Sequence, residues 1–124
     1  MRTAIIVDDD IDTIDVMSEL LEINEIEVIG RGYNGLEAVE LYKKLGPDIV
    51  FLDVMMPEYD GIYALEHIRK VNQDASVIVI TGDTTQDSMD KLYALKPSAV
   101  FYKPMEIDMV IRTVNDLVLE AVPT

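Results

Sequence analysis

At 124 residues the chain is read as a single domain spanning 1–124, long enough to bury roughly two thirds of the surface its unfolded form would expose. Cysteine is absent, which excludes a disulfide framework and a thiolate metal site and suits a reducing cytosol. With 24 acidic against 10 basic residues the formal charge is −14, which argues against direct binding to nucleic acid or to an anionic membrane surface.

Thr3 to Val7 is a short β-branched run that meets Asp8 too early to hold a signal-peptide core, and no later apolar run reaches bilayer-spanning length. A soluble protein of the cytoplasm, without membrane insertion, is expected. After Asp8-Asp9-Asp10, Ile14, Met17 and Leu21 recur at helical spacing, with Val16, Leu20 and Ile23 widening the apolar arc. Glu27 to Gly30 reads as a second strand. Asn34 then caps a helix, with Glu37 three residues on, and Gly46-Pro47 stops it. Ile49 to Leu52 is an apolar strand ending on Asp53. A Pro-containing loop leads through Asp60-Gly61 into a helix carrying Ile62, Leu65 and Ile68.

Ser76 to Thr81 is an unbroken apolar strand of the kind covered on both faces. Thr84 or Thr85 caps a helix carrying Met89, Leu92 and Tyr93, closed by Pro97. Val100 to Tyr102 is a last strand ending at Lys103-Pro104, and Ile107, Val110, Ile111, Val114 and Val118 mark a terminal amphipathic helix. Five alternations of strand and helix predict an α/β fold. It is a doubly wound, five-stranded parallel sheet of flavodoxin-like order 2-1-3-4-5 with helices on both faces.

In a parallel sheet the carboxyl ends of the strands share one edge. That edge would carry Asp8 and Asp9 from the first strand, Asp53 from the third, Thr81 from the fourth and Lys103 from the fifth. Taken alone, the acid run is a solvated helix start, Thr81 a strand-end hydroxyl and Lys103 a surface lysine. Taken together they describe a site. Three converging carboxylates repel one another unless a hard divalent cation joins them, and Mg²⁺ takes a few carboxylates while keeping waters that a phosphate can displace. One carboxylate could then act as nucleophile toward a phosphoryl group, forming an acyl phosphate.

Ile5 to Asp10, the run Pro47 to Gly61, Thr81-Gly82 and Lys103-Pro104 together resemble the receiver domains of two-component response regulators of the chemotaxis type, along the whole chain. The resemblance implies that Asp53 is the phosphoacceptor, taking its phosphoryl group from a histidine kinase or phosphotransfer protein. It implies that Asp9 and Asp53 ligate Mg²⁺ directly, Asp8 through water and Met55 through its backbone carbonyl. Thr81 would move to the phosphoryl oxygen, Gly82 would leave it room, and Lys103 would pair with the same group. The peptide bond before Pro104 would be cis. Partner binding to an unidentified downstream protein would change on the face of the fourth helix, fifth strand and fifth helix, with a phosphorylation-dependent homodimer as one outcome.

Two positions depart from the family pattern. Val100 stands where a Tyr or Phe is usual, and Tyr102, on the same strand face, is a candidate replacement. Leu95-Lys96-Pro97 lacks the usual glycine after the fourth helix, leaving Pro97 as its stop. His67, the one histidine, falls mid-helix beside Glu66, Arg69 and Lys70 on what reads as a solvated face. Two other readings compete. One is a small aspartate-nucleophile phosphatase of the haloacid dehalogenase type using Asp8. The other is a degenerate receiver that only binds partners. Beyond its own phosphorylation and dephosphorylation, the chain is not read as an enzyme.

Overall fold

The computed structural model describes residues 2–121, with side chains through Leu117, so the expected burial of Val118 lies outside the described residues. In chain order the elements are β1 (Arg2–Val7), α1 (Ile11–Ile23), β2 (Ile26–Gly32), α2 (Gly35–Leu45), β3 (Ile49–Leu52), α3 (Gly61–Val71), β4 (Ser76–Thr81), α4 (Gln86–Ala94), β5 (Ala99–Tyr102) and α5 (Ile107–Ala121). All strand pairs are parallel, in the order β2-β1-β3-β4-β5. The expected architecture is therefore the one formed.

Parallel strands covered on both faces need apolar side chains on both, and β3 is buried at all four positions. Alternation divides the core. Ile5, Val7, Val50, Leu52, Val77 and Val79 face α2, α3 and α4, while Ala4, Ile6, Ile49, Phe51, Ile78 and Ile80 face α1 and α5. The helix starts are chemically explicit. Asn34 Oδ1 accepts from the Glu37 amide at 2.9 Å, and Glu37 returns a carboxylate to the Tyr33 amide at 2.8 Å. Asp60 caps α3 through the Tyr63 amide, and Thr85 rather than Thr84 caps α4. Gly46 ends α2 at φ 54°, a left-handed conformation that favours glycine.

Three expectations need correction. The apolar arc of α1 is narrower than its sequence suggests: Ile14, Met17 and Leu21 are buried, but Val16 and Ile23 are 58% and 76% exposed. α1 is an outer helix, and only the stripe facing the sheet is covered. β2 runs two residues beyond Gly30, because Arg31 and Gly32 continue the ladder opposite Ile6 and Val7.

The third correction concerns α4, which Pro97 does not close alone. Lys96 adopts φ 55° in place of the missing glycine. The Arg69 guanidinium donates to the carbonyl of the C-cap Leu95 at 3.3 Å, an orphan acceptor of the helix end, and to that of Lys96, one residue beyond, at 2.8 Å. α4 buries little else. Of its nine residues only Leu92 is buried, contributing roughly 2 kcal/mol of apolar transfer.

Candidate functional site

The backbone ladder continues past the strand ends and fixes the residues that follow. The Asp53 amide donates to the Val7 carbonyl at 2.9 Å, the Asp8 amide to the Gly32 carbonyl at 3.1 Å and the Lys103 amide to the Thr81 carbonyl at 2.9 Å. Asp8, Asp53 and Thr81 are thus carried on the sheet itself and are buried, while Asp9 is exposed. The structure brings together four of the five side chains expected at this edge, Asp8, Asp9, Asp53 and Lys103, while Thr81 ends the neighbouring strand β4 with its hydroxyl on the Asp83 amide. Carboxylate oxygens of Asp8, Asp9 and Asp53 lie within 4.8 Å of one another. Lys103 Nζ donates to Asp8 Oδ2 at 3.1 Å and stands 3.6 Å from Asp53 Oδ1. The Lys103–Pro104 bond is cis.

Backbone amides hold the acids in place. Asp8 Oδ1 accepts from the Asp10 amide and Asp53 Oδ1 from the Val54 amide, each at 2.9 Å. Asp10, the third acid of the run, turns away and caps α1 through the Asp12 amide and the Thr13 hydroxyl. The Thr13 bond holds the Asp10 carboxyl below the usual range. Burial, followed by the charge of Asp8, pushes Asp53 up to about 6, against the pull of Lys103. Burial by itself would depress the Lys103 ammonium, yet Asp53 and Asp8 outweigh it and raise its pKa.

Three carboxylates and one ammonium leave two negative charges on an edge that Asp9 opens to solvent. An oxygen-only donor set of that charge fits a hard divalent cation that keeps some waters. Beside it runs a groove of about 330 Å³ lined by Asp9, Met55, Pro57, Asp60, Asp83 and Ser88. Thr81 Oγ1, on the other side of Asp53's strand, accepts from the Asp83 amide at 2.9 Å.

Sequence reasoning missed two glycines that shape the site. The Gly61 amide donates to the Val54 carbonyl at 2.9 Å, which presses the start of α3 onto the backbone carrying Asp53. A Cβ at Gly61 would stand 2.8 Å from Val54 Cα and overlap the Asp53 carbonyl oxygen. Gly35 donates to the Tyr59 carbonyl at 2.6 Å, so α2 holds the far side of the β3–α3 loop. The Asp60-Gly61 pair following Pro57 was the one available signal.

His67 does not join the site, but its face is not simply solvated. It is half-buried, stacked on Tyr63 at 4.0 Å between ring centroids, with Nδ1 2.8 Å from the Tyr63 carbonyl oxygen. Val100 packs on the core beside α4, and the Tyr102 hydroxyl lies 3.0 Å from that of Tyr93 on the same side. On the opposite face of the sheet an apolar groove of about 360 Å³ runs between α1 and the start of α5, lined by Val16, Met17, Leu20, Met105 and Ile107.

The model of the response regulator receiver domain family matches residues 4–115. The chemotaxis protein CheY of Halobacterium salinarum is 31% identical over 116 residues, covering 94% of this chain and 96% of its own. CheY of Bacillus subtilis is 32% identical over 100 residues, covering 81% and 83%. Among solved structures, a chain of the CheX-CheY-BeF3-Mg complex of Borrelia burgdorferi superposes with a TM-score of 0.87 at 27% identity, over 94% of this chain and 89% of that one.

Proposed function

This chain belongs to the response regulator receiver domain family of two-component signalling, and from that premise we propose that it is a phosphorylation-controlled switch in which Asp53 accepts the phosphoryl group. Residues 1–124 are taken as one such domain, acting in the cytoplasm as a signalling module and not as an enzyme on other substrates. No described helix is long and apolar enough to cross a membrane. The observation that carries the reading is the convergence of Asp8, Asp9 and Asp53 oxygens within 4.8 Å beside the Lys103 ammonium.

The phosphoryl donor is a phosphohistidine on a kinase or phosphotransfer protein. An Asp53 carboxylate oxygen attacks phosphorus, the bond from phosphorus to the imidazole nitrogen breaks, and the imidazole leaves with the electron pair and takes up a proton. Mg²⁺ would be held by Asp9, Asp53 and the Met55 carbonyl, with Asp8 reaching it through water, and when bound would supply neutralisation of the phosphoryl oxygens. The chain's own share is positional. The ladder fixes Asp53 at the edge, the Val54 amide holds its Oδ1, and Lys103 offers an ammonium to the charge that arrives. Thr81 then turns its hydroxyl to a phosphoryl oxygen. The apolar groove along α1, with Asp12 in its lining, suits an amphipathic helix of the donor. Output is a change in protein binding on the α4, β5 and α5 face, toward a downstream target or a second copy. The Borrelia relative, seen with BeF3 and Mg, supports the choice of ion and of phosphoryl mimic.

Incubation with acetyl phosphate and Mg²⁺ tests this. Wild type is expected to give a hydroxylamine- and base-labile phosphoprotein that does not form with chelator present or in Asp53→Asn. Asp8→Asn should retain a reduced level. Turnover of phosphate esters dependent on Asp8 would identify a phosphatase instead, and absence of any label would leave a binding module.

A further inference from the structure

α4 is held asymmetrically. Its C-terminal half carries Leu92, fully in the core, and leads to Leu95, which packs on the same cluster. Tyr93 reaches Tyr102 of β5 there, hydroxyl to hydroxyl at 3.0 Å. The Arg69 guanidinium from α3 bonds the Leu95 and Lys96 carbonyls and, through Nη1, the Ala75 carbonyl at 2.6 Å. One side chain therefore ties α3, the end of α4 and the approach to β4 together. Bonds from a charged donor are stronger than neutral ones, and half-burial shields those to Leu95 and Ala75, though not the exposed one to Lys96, from water.

The N-terminal half has no buried residue: Gln86, Asp87 and Asp90 are exposed, and Ser88 and Met89 half-buried. Its ties are local. Thr85 caps the Ser88 amide at 3.4 Å, and the Asp83 carboxylate accepts from the Thr85 amide at 3.0 Å and the Ser88 hydroxyl at 2.5 Å. Asp83 in turn depends on the site, because its amide donates to Thr81 Oγ1. A threonine hydroxyl drawn toward Asp53 ceases to be that acceptor, and the Asp83 amide must turn to water. Nothing lies within 4 Å of where a Cβ of Gly82 would be, so the connecting residue has space to move.

We infer that α4 is a lever with Arg69 as its hinge and Asp83 as its latch. Removing Thr81 from Asp83 releases the first turn, Gln86 to Asp90, which swings while the last turn stays clasped to α3. The release step rests on the reading of Thr81 given above; the asymmetry of the clasps does not.

Hydrogen exchange on the whole chain tests both parts, using wild type, Arg69→Met, Arg69→Lys and Ser88→Ala, each with and without beryllium fluoride and Mg²⁺. Without the mimic, Arg69→Met is expected to speed exchange at residues 94–96 about tenfold, and Arg69→Lys less, while Ser88→Ala speeds only residues 88–90. With the mimic, wild type should exchange faster at 88–90 and change by less than about twofold at 94–96. In Arg69→Met both segments should respond. Unchanged exchange at 94–96 in Arg69→Met and Arg69→Lys overturns the hinge, as does an equal response of both segments in wild type. Binding of the mimic is read separately from slowed exchange at 53–61. Failure of that signal, with the Arg69 effect intact, overturns the phosphoacceptor reading and leaves the hinge supported.

Discussion

At pH 7 a metal-free Asp53 must hold its charge at a buried strand end beside Asp8, and a pKa of about 6 measures what that costs. The folded value lies above the ordinary 3.8, so the native state binds this proton more tightly than the unfolded chain does. Its stabilising contribution is complete below about pH 4 and is lost as pH rises through about 6, leaving the domain on the order of 3 kcal/mol less stable at pH 7.5 than if the group stayed neutral. Asp53→Asn should therefore stabilise the chelator-treated protein against urea at pH 7.5, by up to that amount. The gain should shrink to about a third of that at pH 4.5 and vanish near pH 3. An Asn variant no more stable than wild type at pH 7.5 would contradict the account of a buried, repelled carboxylate. The site's membership was legible in sequence because strand ends are: Asp8, Asp53, Thr81 and Lys103 each follow or close an apolar run. The division of labour among three adjacent acids was not, because Asp8, Asp9 and Asp10 differ only in where the turn points them, inward, outward or back to cap α1. His67 was misplaced for a related reason, since its cover comes from Tyr63 one turn earlier and from the depth of the helix, not from its immediate neighbours.

Between elements, the contact of α3 with β3 sets the geometry around Asp53 more tightly than any side chain does. In Gly61→Ala the new methyl group meets backbone atoms of Asp53 and Val54, which have no rotamer to yield. The variant is expected to lose about 3 kcal/mol or more in urea unfolding and most of its acetyl phosphate labelling. Gly82→Ala provides the contrast, because its Cβ would enter open space, and stability should stay within about 0.5 kcal/mol of wild type. If both glycines tolerate alanine equally, the close approach of α3 is not a constraint in solution. Element order, most boundaries and the caps at Asn34 and Gly46 were readable because they are written within a few residues of one another. The end of α4 was not. Its carbonyls are satisfied by Arg69, 26 and 27 residues earlier, and no local pattern announces a partner that only the fold brings near. The exposed Val16 and Ile23 show the same limit, since helical spacing marks an apolar arc but only the packed layer decides how much of it is covered.

At the scale of the whole molecule, a formal charge of −14 on 124 residues places two opposing demands on one edge. The compact state gathers its acids closer together than the unfolded chain does, and it gathers Asp8, Asp9 and Asp53 closest of all. General screening and specific cation binding should both relieve this, and they can be separated. Raising NaCl from about 10 to about 100 mM shortens the Debye length from about 30 to about 10 Å, so the melting temperature should climb by a few degrees and then level off. Mg²⁺ added at matched ionic strength should give a further rise that keeps growing with the logarithm of its concentration, worth about 1.4 kcal/mol at ten times Kd. Asp9→Asn removes the exposed carboxylate without touching the core. It should keep the screening response and lose the Mg²⁺ increment. Coincident Mg²⁺ and NaCl curves at matched ionic strength in wild type would mean that the three acids act only as diffuse charge. A Mg²⁺ increment that survives Asp9→Asn would place the ion somewhere other than the edge where β1 and β3 end.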